Sequence, residues 1–165
     1  MRAIAGTVAV IDRMLGWLVH AGGVLVLPVS LLLFLQWPLR EWVQAYSREA
    51  NDLAQVLFAL YVALAITAAT RRHAHLAADA LARRYATRTR ARLVRIAAVV
   101  ILVPWALFVL WSIYPIVIQS VRQLESFPDT FNPGYFLLKV AVVLMALAVA
   151  TQALVTAMRP PEPED

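Results

Sequence analysis

The sequence predicts an all-α integral membrane protein with four transmembrane helices and an interfacial amphipathic helix between the first and second. Three observations predict it. Hydrophobic residues make up 62% of the 165 and charged residues only 15%, against about 45–50% and about 25% in soluble domains. Mean hydropathy is +0.71. Four apolar runs approach the roughly 20 residues that a helix needs to cross a bilayer, and none alternates with the period of two that a membrane β-strand shows. Helices satisfy their own backbone polar groups in lipid, so the runs read as four spans of one membrane domain.

The spans are expected at about 15–35, 53–70, 96–118 and 135–158. Trp17 and Trp37 stand near the two ends of the first. That run is longer than the apolar core of a cleaved signal and lacks a small-residue cleavage site, so it is expected to be retained. The connector 38–50 has one apolar face: Leu39, Trp42, Val43, Tyr46 and Ala50 fall at i, i+3, i+4, i+7 and i+11. This spacing predicts a helix lying flat in the interface. Trp37, Trp42 and Tyr46 are its aromatic anchors at headgroup level.

Between the second and third spans lies the basic loop 71–95. It holds eight arginines (Arg71, Arg72, Arg83, Arg84, Arg88, Arg90, Arg92, Arg95) against one acid, Asp79. Arg2, Arg13 and Arg159 fall on the same face, whereas the other face has Arg40, Arg48, Arg122 and Lys139. The positive-inside rule therefore predicts cytoplasmic termini and a cytoplasmic loop. Arginines beside spans point to anionic lipid rather than nucleic acid, because no nucleic-acid fold surrounds them. The weak stripe Leu76, Ala80, Leu81, Tyr85 suggests that the second span continues as a helix into the loop. The last loop, Ser126 to Phe136, carries the turn signals Pro128–Asp129 and Pro133–Gly134. Phe127, Phe131 and Tyr135 read there as further aromatic anchors. The acidic, proline-rich tail 160–165 is expected to be disordered.

Few residues could carry chemistry. No cysteine is present, which excludes thiolate metal sites and a cysteine nucleophile. Phosphate-binding loops, nucleophile elbows and zinc-protease motifs are missing too. No catalytic, cofactor or metal residue is therefore assigned, and the chain does not read as an enzyme. His20 lies within the first span, where it could pack, relay protons or ligate haem. A haem-binding or other redox four-helix subunit is thus the alternative reading, although no other span supplies a second histidine. His75 and Asp79 share a helical face at i and i+4, a local pair rather than a metal site. Lys139, just inside the fourth span, can snorkel to headgroups or meet a carboxylate on a partner. Asp52 opens the second span, where an acid suits the helix dipole, and Ser47 or Asn51 can cap that helix. Pro28, Pro104 and Pro115 are candidate kinks, and Gly22 and Gly23 permit close helix approach. Thr67, Ser112, Thr151 and Gln152 are too scattered to draw a transport path.

An acid opening the second of four spans, followed by a charged x-x-H-φ-x-x-D segment, carries a family resemblance. Here these are Asp52 and the run from Arg72 to Asp79 in RRHAHLAAD. With SREANDLAQVLFALYVALAITAATRRHAHLAADAL and PDTFNPGYFLLK, the chain resembles the small permease subunit of tripartite ATP-independent periplasmic (TRAP) transporters, the DctQ-like family. Where that family often has a tryptophan and a second acid, this chain has Ala50 and Asn51. The resemblance implies a scaffold role beside a large permease subunit that holds the substrate and sodium sites. A periplasmic solute-binding protein would deliver an organic acid, and the complex would sit in the bacterial inner membrane. Asp52, His75, Asp79 and Lys139 are then the candidate structural or subunit-contact residues. No cofactor is implied.

Overall fold

The computed structural model describes residues 2–43, 47–72 and 87–158. Six α-helices follow one another: α1 (Arg2–Val24), α2 (Val26–Glu41), α3 (Arg48–Arg71), α4 (Thr87–Ala97), α5 (Val103–Arg122) and α6 (Phe136–Met158). A π-helical turn, Ala98–Leu102, joins α4 to α5. They group into four segments long and apolar enough to cross a membrane: Gly6–Glu41, Arg48–Arg71, Arg92–Arg122 and Phe136–Met158. The protein is a multi-pass, all-α membrane protein.

Two of these segments exceed what the bilayer needs. The first, at 36 residues, is about 54 Å long at 1.5 Å per residue, well beyond a hydrocarbon core of about 30 Å. Prolines interrupt both long segments. Pro28 has no N–H to offer the Val24 carbonyl one turn earlier, and the α-helix breaks at Leu25, between α1 and α2. Pro104 is preceded by the π-turn, in which the Val103 N–H reaches back to the Ala98 carbonyl. Pro115 is accommodated inside α5, which runs unbroken to Arg122.

The described residues of the connector 38–50 divide between the ends of two long helices. Residues 38–41 are the last turn of α2, because the Trp42 N–H still closes onto the Pro38 carbonyl at 2.9 Å. Residues 48–50 are the first turn of α3. Ser47 caps that helix by accepting the Ala50 N–H at 3.2 Å, as one of the two expected caps. Trp37 and Trp42 are exposed and meet edge to face at 5.9 Å; Tyr46 lies outside the described residues. The basic segment also divides. α3 stops at Arg71, whereas 87–97 is helical and runs into the third span. The stripe Leu76–Tyr85 and the tail 160–165 lie outside the described residues.

The spans form a row. α6 is central, with α3 packed on one side and α5 with the π-turn on the other; α1 and α2 pack on α3, and α1 also reaches α6. The spatial order is thus first, second, fourth, third. Buried positions are mostly small: Ala54 and Ala63 on α3, Ala98 and Ala106 on the third span, and Ala141, Ala146 and Ala153 on α6. Lipid is as apolar as leucine, so association rests on close backbone approach rather than on hydrophobic transfer, and small residues permit it. Gly22 is the tightest point, since a Cβ there would stand 2.6 Å from the Leu64 Cβ. Gly23, by contrast, meets nothing within 4 Å. Two buried hydroxyls turn back on their own helix: Thr67 and Thr70 donate to the Ala63 and Ile66 carbonyls at 3.0 and 2.9 Å.

Candidate functional site

Polar chemistry collects at the two ends of the row. One end carries the hairpin between α5 and α6; the other carries Arg71, Arg92 and Arg95.

At the hairpin end, α5 closes in a Schellman turn: the Glu125 N–H bonds to the Ser120 carbonyl at 3.0 Å and the Leu124 N–H to the Val121 carbonyl at 3.1 Å. Leu124 takes the left-handed φ of 47° usually given to glycine. The loop folds back on itself, with the Phe127 N–H on the Asn132 carbonyl at 2.9 Å and the Gly134 and Tyr135 N–H groups on the Glu125 carbonyl at 3.1 and 3.0 Å. Gly134 has φ 151°, and a Cβ there would come 3.0 Å from the Phe127 ring. Phe127 is buried and meets Tyr135 edge to face at 5.6 Å. Of the three aromatics read as anchors, only Phe131 points fully outward.

This compact loop joins three spans. Thr130 Oγ1 donates to Asp52 Oδ2, tying the hairpin to α3. Arg48 Nη1 donates to the Asp129 carbonyl at 3.5 Å. Glu125 Oε2 accepts from both Ser120 Oγ at the end of α5 and Lys139 Nζ in the first turns of α6. Lys139 also lies 5.6 Å over the Tyr135 ring. The hydrogen bond from Lys139, then that from Ser120, holds the Glu125 carboxyl below its ordinary value of 4.5. A lowered folded value means that Glu125 stabilises the hairpin above the ordinary carboxylate range and ceases to do so as pH falls through that folded value. The unfolding midpoint should therefore drop on acidification to pH 4 and below in the parent chain. Glu125→Gln should flatten that part of the profile, and equal slopes would refute the linkage.

At the other end, Arg71 closes α3 onto α1. Its Nη1 and Nη2 donate to Asp12 Oδ1 and Oδ2 at 2.8 and 3.0 Å, and Nη1 also donates to the Asp12 carbonyl at 2.9 Å. This two-pronged contact is the geometry that arginine, not lysine, supplies. The guanidinium lies against Gly16, where a Cβ would stand 3.4 Å from Nη2. One turn further on, His20 Nδ1 donates to the Gly16 carbonyl at 2.7 Å.

Two of the four candidate contact residues, Asp52 and Lys139, thus lie at the hairpin end. The loop holds both, through different residues, Thr130 and Glu125. Asp52 is not the helix opener but sits one turn inside α3, buried. Lys139 finds its carboxylate within the chain rather than only in headgroups. His75 and Asp79 lie outside the described residues. Sequence reading missed Asp12 and Arg71 as a pair, and Ser120, Glu125 and Thr130 as partners. Asp12 did carry a signal, as the single acid in the first 40 residues. Among the described residues, no group of three or more potential ligands could hold a metal, and His20 is the one histidine. The described clusters fasten helices to one another.

A row of four spanning helices, with its polar side chains joining helix ends, defines a small helical membrane subunit. The model of the DctQ component of tripartite ATP-independent periplasmic transporters matches residues 29–160. The chain belongs to that family, a component of a transporter. Comparison with curated proteins and with solved structures gave no match.

Proposed function

We propose that this chain is the small permease subunit of an importer that takes up an organic acid on a sodium gradient, and that it scaffolds the large permease subunit in the inner membrane. A periplasmic solute-binding protein supplies the solute to the complex. The carrying observation is the distribution of polar groups. In the described spans most of them cap helices, bond to their own backbone or join helix ends, Gln152 of α6 donates to Thr156 of the same helix, and broad apolar faces of α2 and α5 stay open. Such a body suits holding a neighbour more than conducting a solute. Asp52 and Lys139 serve subunit contact by fixing the outer hairpin, and His75 and Asp79 are proposed as contacts on the sequence alone. The arginine-rich segment, with both termini, faces the cytoplasm and anionic lipid. Trp37 and Trp42 anchor the opposite interface.

Tagged protein extracted in mild detergent is expected to bring down a much larger polytopic subunit in stoichiometric amount; recovery of the chain alone sinks the reading. The orientation has its own check. A cysteine replacing Asp129 should react with an impermeant thiol reagent in intact cells, and one replacing Arg88 should react only after permeabilisation.

A further inference from the structure

The π-turn of the third span takes the α-helical donors away from two backbone carbonyls, where acyl chains supply none. The Val103 N–H is spent on the Ala98 carbonyl, five residues back. The Val99 carbonyl therefore loses its α-helical donor, and its next donor along the chain would be Pro104, which has no N–H. The Val100 carbonyl loses Pro104 in the same way and can turn only to the Trp105 N–H. No described side chain donates to either carbonyl.

These residues lie away from the row. Ala98 is buried towards α6, whereas Val100 and Ile101 are 64% and 63% exposed. Trp105 and Phe108 prolong the same open surface. Val99 stands one helical turn beyond Arg95, or about 6 Å further into the membrane. An unmet carbonyl in hydrocarbon is costly, and π-turns are frequent at functional sites. Acyl chains carry no donors.

We infer that the π-turn at Ala98–Leu102 is a docking point for a helix of the large permease subunit, which presents a hydrogen-bond donor to the Val99 and Val100 carbonyls. The partner helix is apolar around a single serine, threonine, asparagine or glutamine, and packs over Val100, Ile101 and Trp105. This rests on the reading of the chain as a small permease subunit.

The test uses the whole complex. A photoreactive phenylalanine analogue placed at Val100 or Ile101 should cross-link to the large subunit, and the same probe at Phe34, on the opposite edge of the row, should give far less product. Pro104→Ala, which returns an N–H to the turn, should weaken retention of the large subunit about three- to twentyfold, the range of one interhelical hydrogen bond in a membrane. If the complex purifies but the Val100 and Ile101 probes label only lipid, or the Phe34 probe labels the large subunit instead, the docking point is wrong and the scaffold reading stands. Unchanged retention in Pro104→Ala likewise refutes the role of the open carbonyls. If no large subunit accompanies the chain, both fall.

Discussion

Arg71→Ala should be the most damaging single substitution at the basic end, lowering stability by about 3 kcal/mol, the scale for stripping one partner from a poorly solvated ion pair. The Asp12 carboxylate would keep its place on α1 with a side chain only 15% exposed, and the α3 clamp on it would be gone. Arg71→Lys should fall between, because an ammonium keeps the charge but cannot grip both carboxylate oxygens and the Asp12 carbonyl together. Replacing both partners, Asp12→Leu with Arg71→Leu, should cost less than Arg71→Ala, since the poorly solvated carboxylate is removed together with the guanidinium that grips it. Unfolding in mixed micelles with increasing denaturing detergent gives the comparison. An Arg71→Ala midpoint equal to that of the parent chain would show that the pair contributes nothing.

The second large effect is expected at Gly22. Alanine in an exposed helix is ordinarily better than glycine by about 1 kcal/mol. At Gly22 the sign should reverse, because the new methyl would lie 2.6 Å from the Leu64 Cβ and 2.7 Å from its Cδ1. Neither a Cβ nor the backbone that carries it can yield cheaply, so α1 must move off α3, with a loss of about 1–3 kcal/mol. Gly22→Ala combined with Leu64→Ala should recover most of that loss. Gly23→Ala, with open space around it, should be neutral or mildly stabilising. The same unfolding assay checks the series. Equal behaviour of Gly22→Ala and Gly23→Ala would refute the close approach.

Both predictions concern contacts that the sequence announces only in part. Two glycines beside each other mark a place for close approach, but which of them meets a neighbour depends on the rotation of α1 against α3. Arg71 reads as one of eight basic residues in a topogenic segment until α3 ends beside α1. Its carboxylate is 59 residues away. Asp52 reads as a dipole acid at a helix start because hydropathy begins at Leu53. The helix itself begins at Arg48, where Ser47 caps it, and Asp52 is thereby carried onto the face that the hairpin covers. Lys139 was legible as a cation needing an outlet at a helix end; that the outlet is Glu125 follows from the Schellman turn at Leu124, which no glycine signals. The apolar spacing over 38–50 likewise does not stop α2 from continuing past Pro38.

The sequence by itself determined that this is an all-α protein of four spans with its basic charge gathered towards one side. Those properties follow from local facts: the length of apolar runs, the need of the backbone to satisfy itself in lipid, and the count of arginines beside each run. The DctQ relationship was legible as well, from short stretches of sequence around Asp52 and Asp79. Only the tertiary structure decided the order of the spans, the pairing of Asp12 with Arg71 and of Thr130 with Asp52, and the open carbonyls of the π-turn. In a membrane no hydrophobic gradient sorts one helix against another. Neighbours are chosen by the fit of small residues such as Gly22, Ala63 and Ala146 and by the few polar groups that must find each other, and that choice is made across the whole bundle at once.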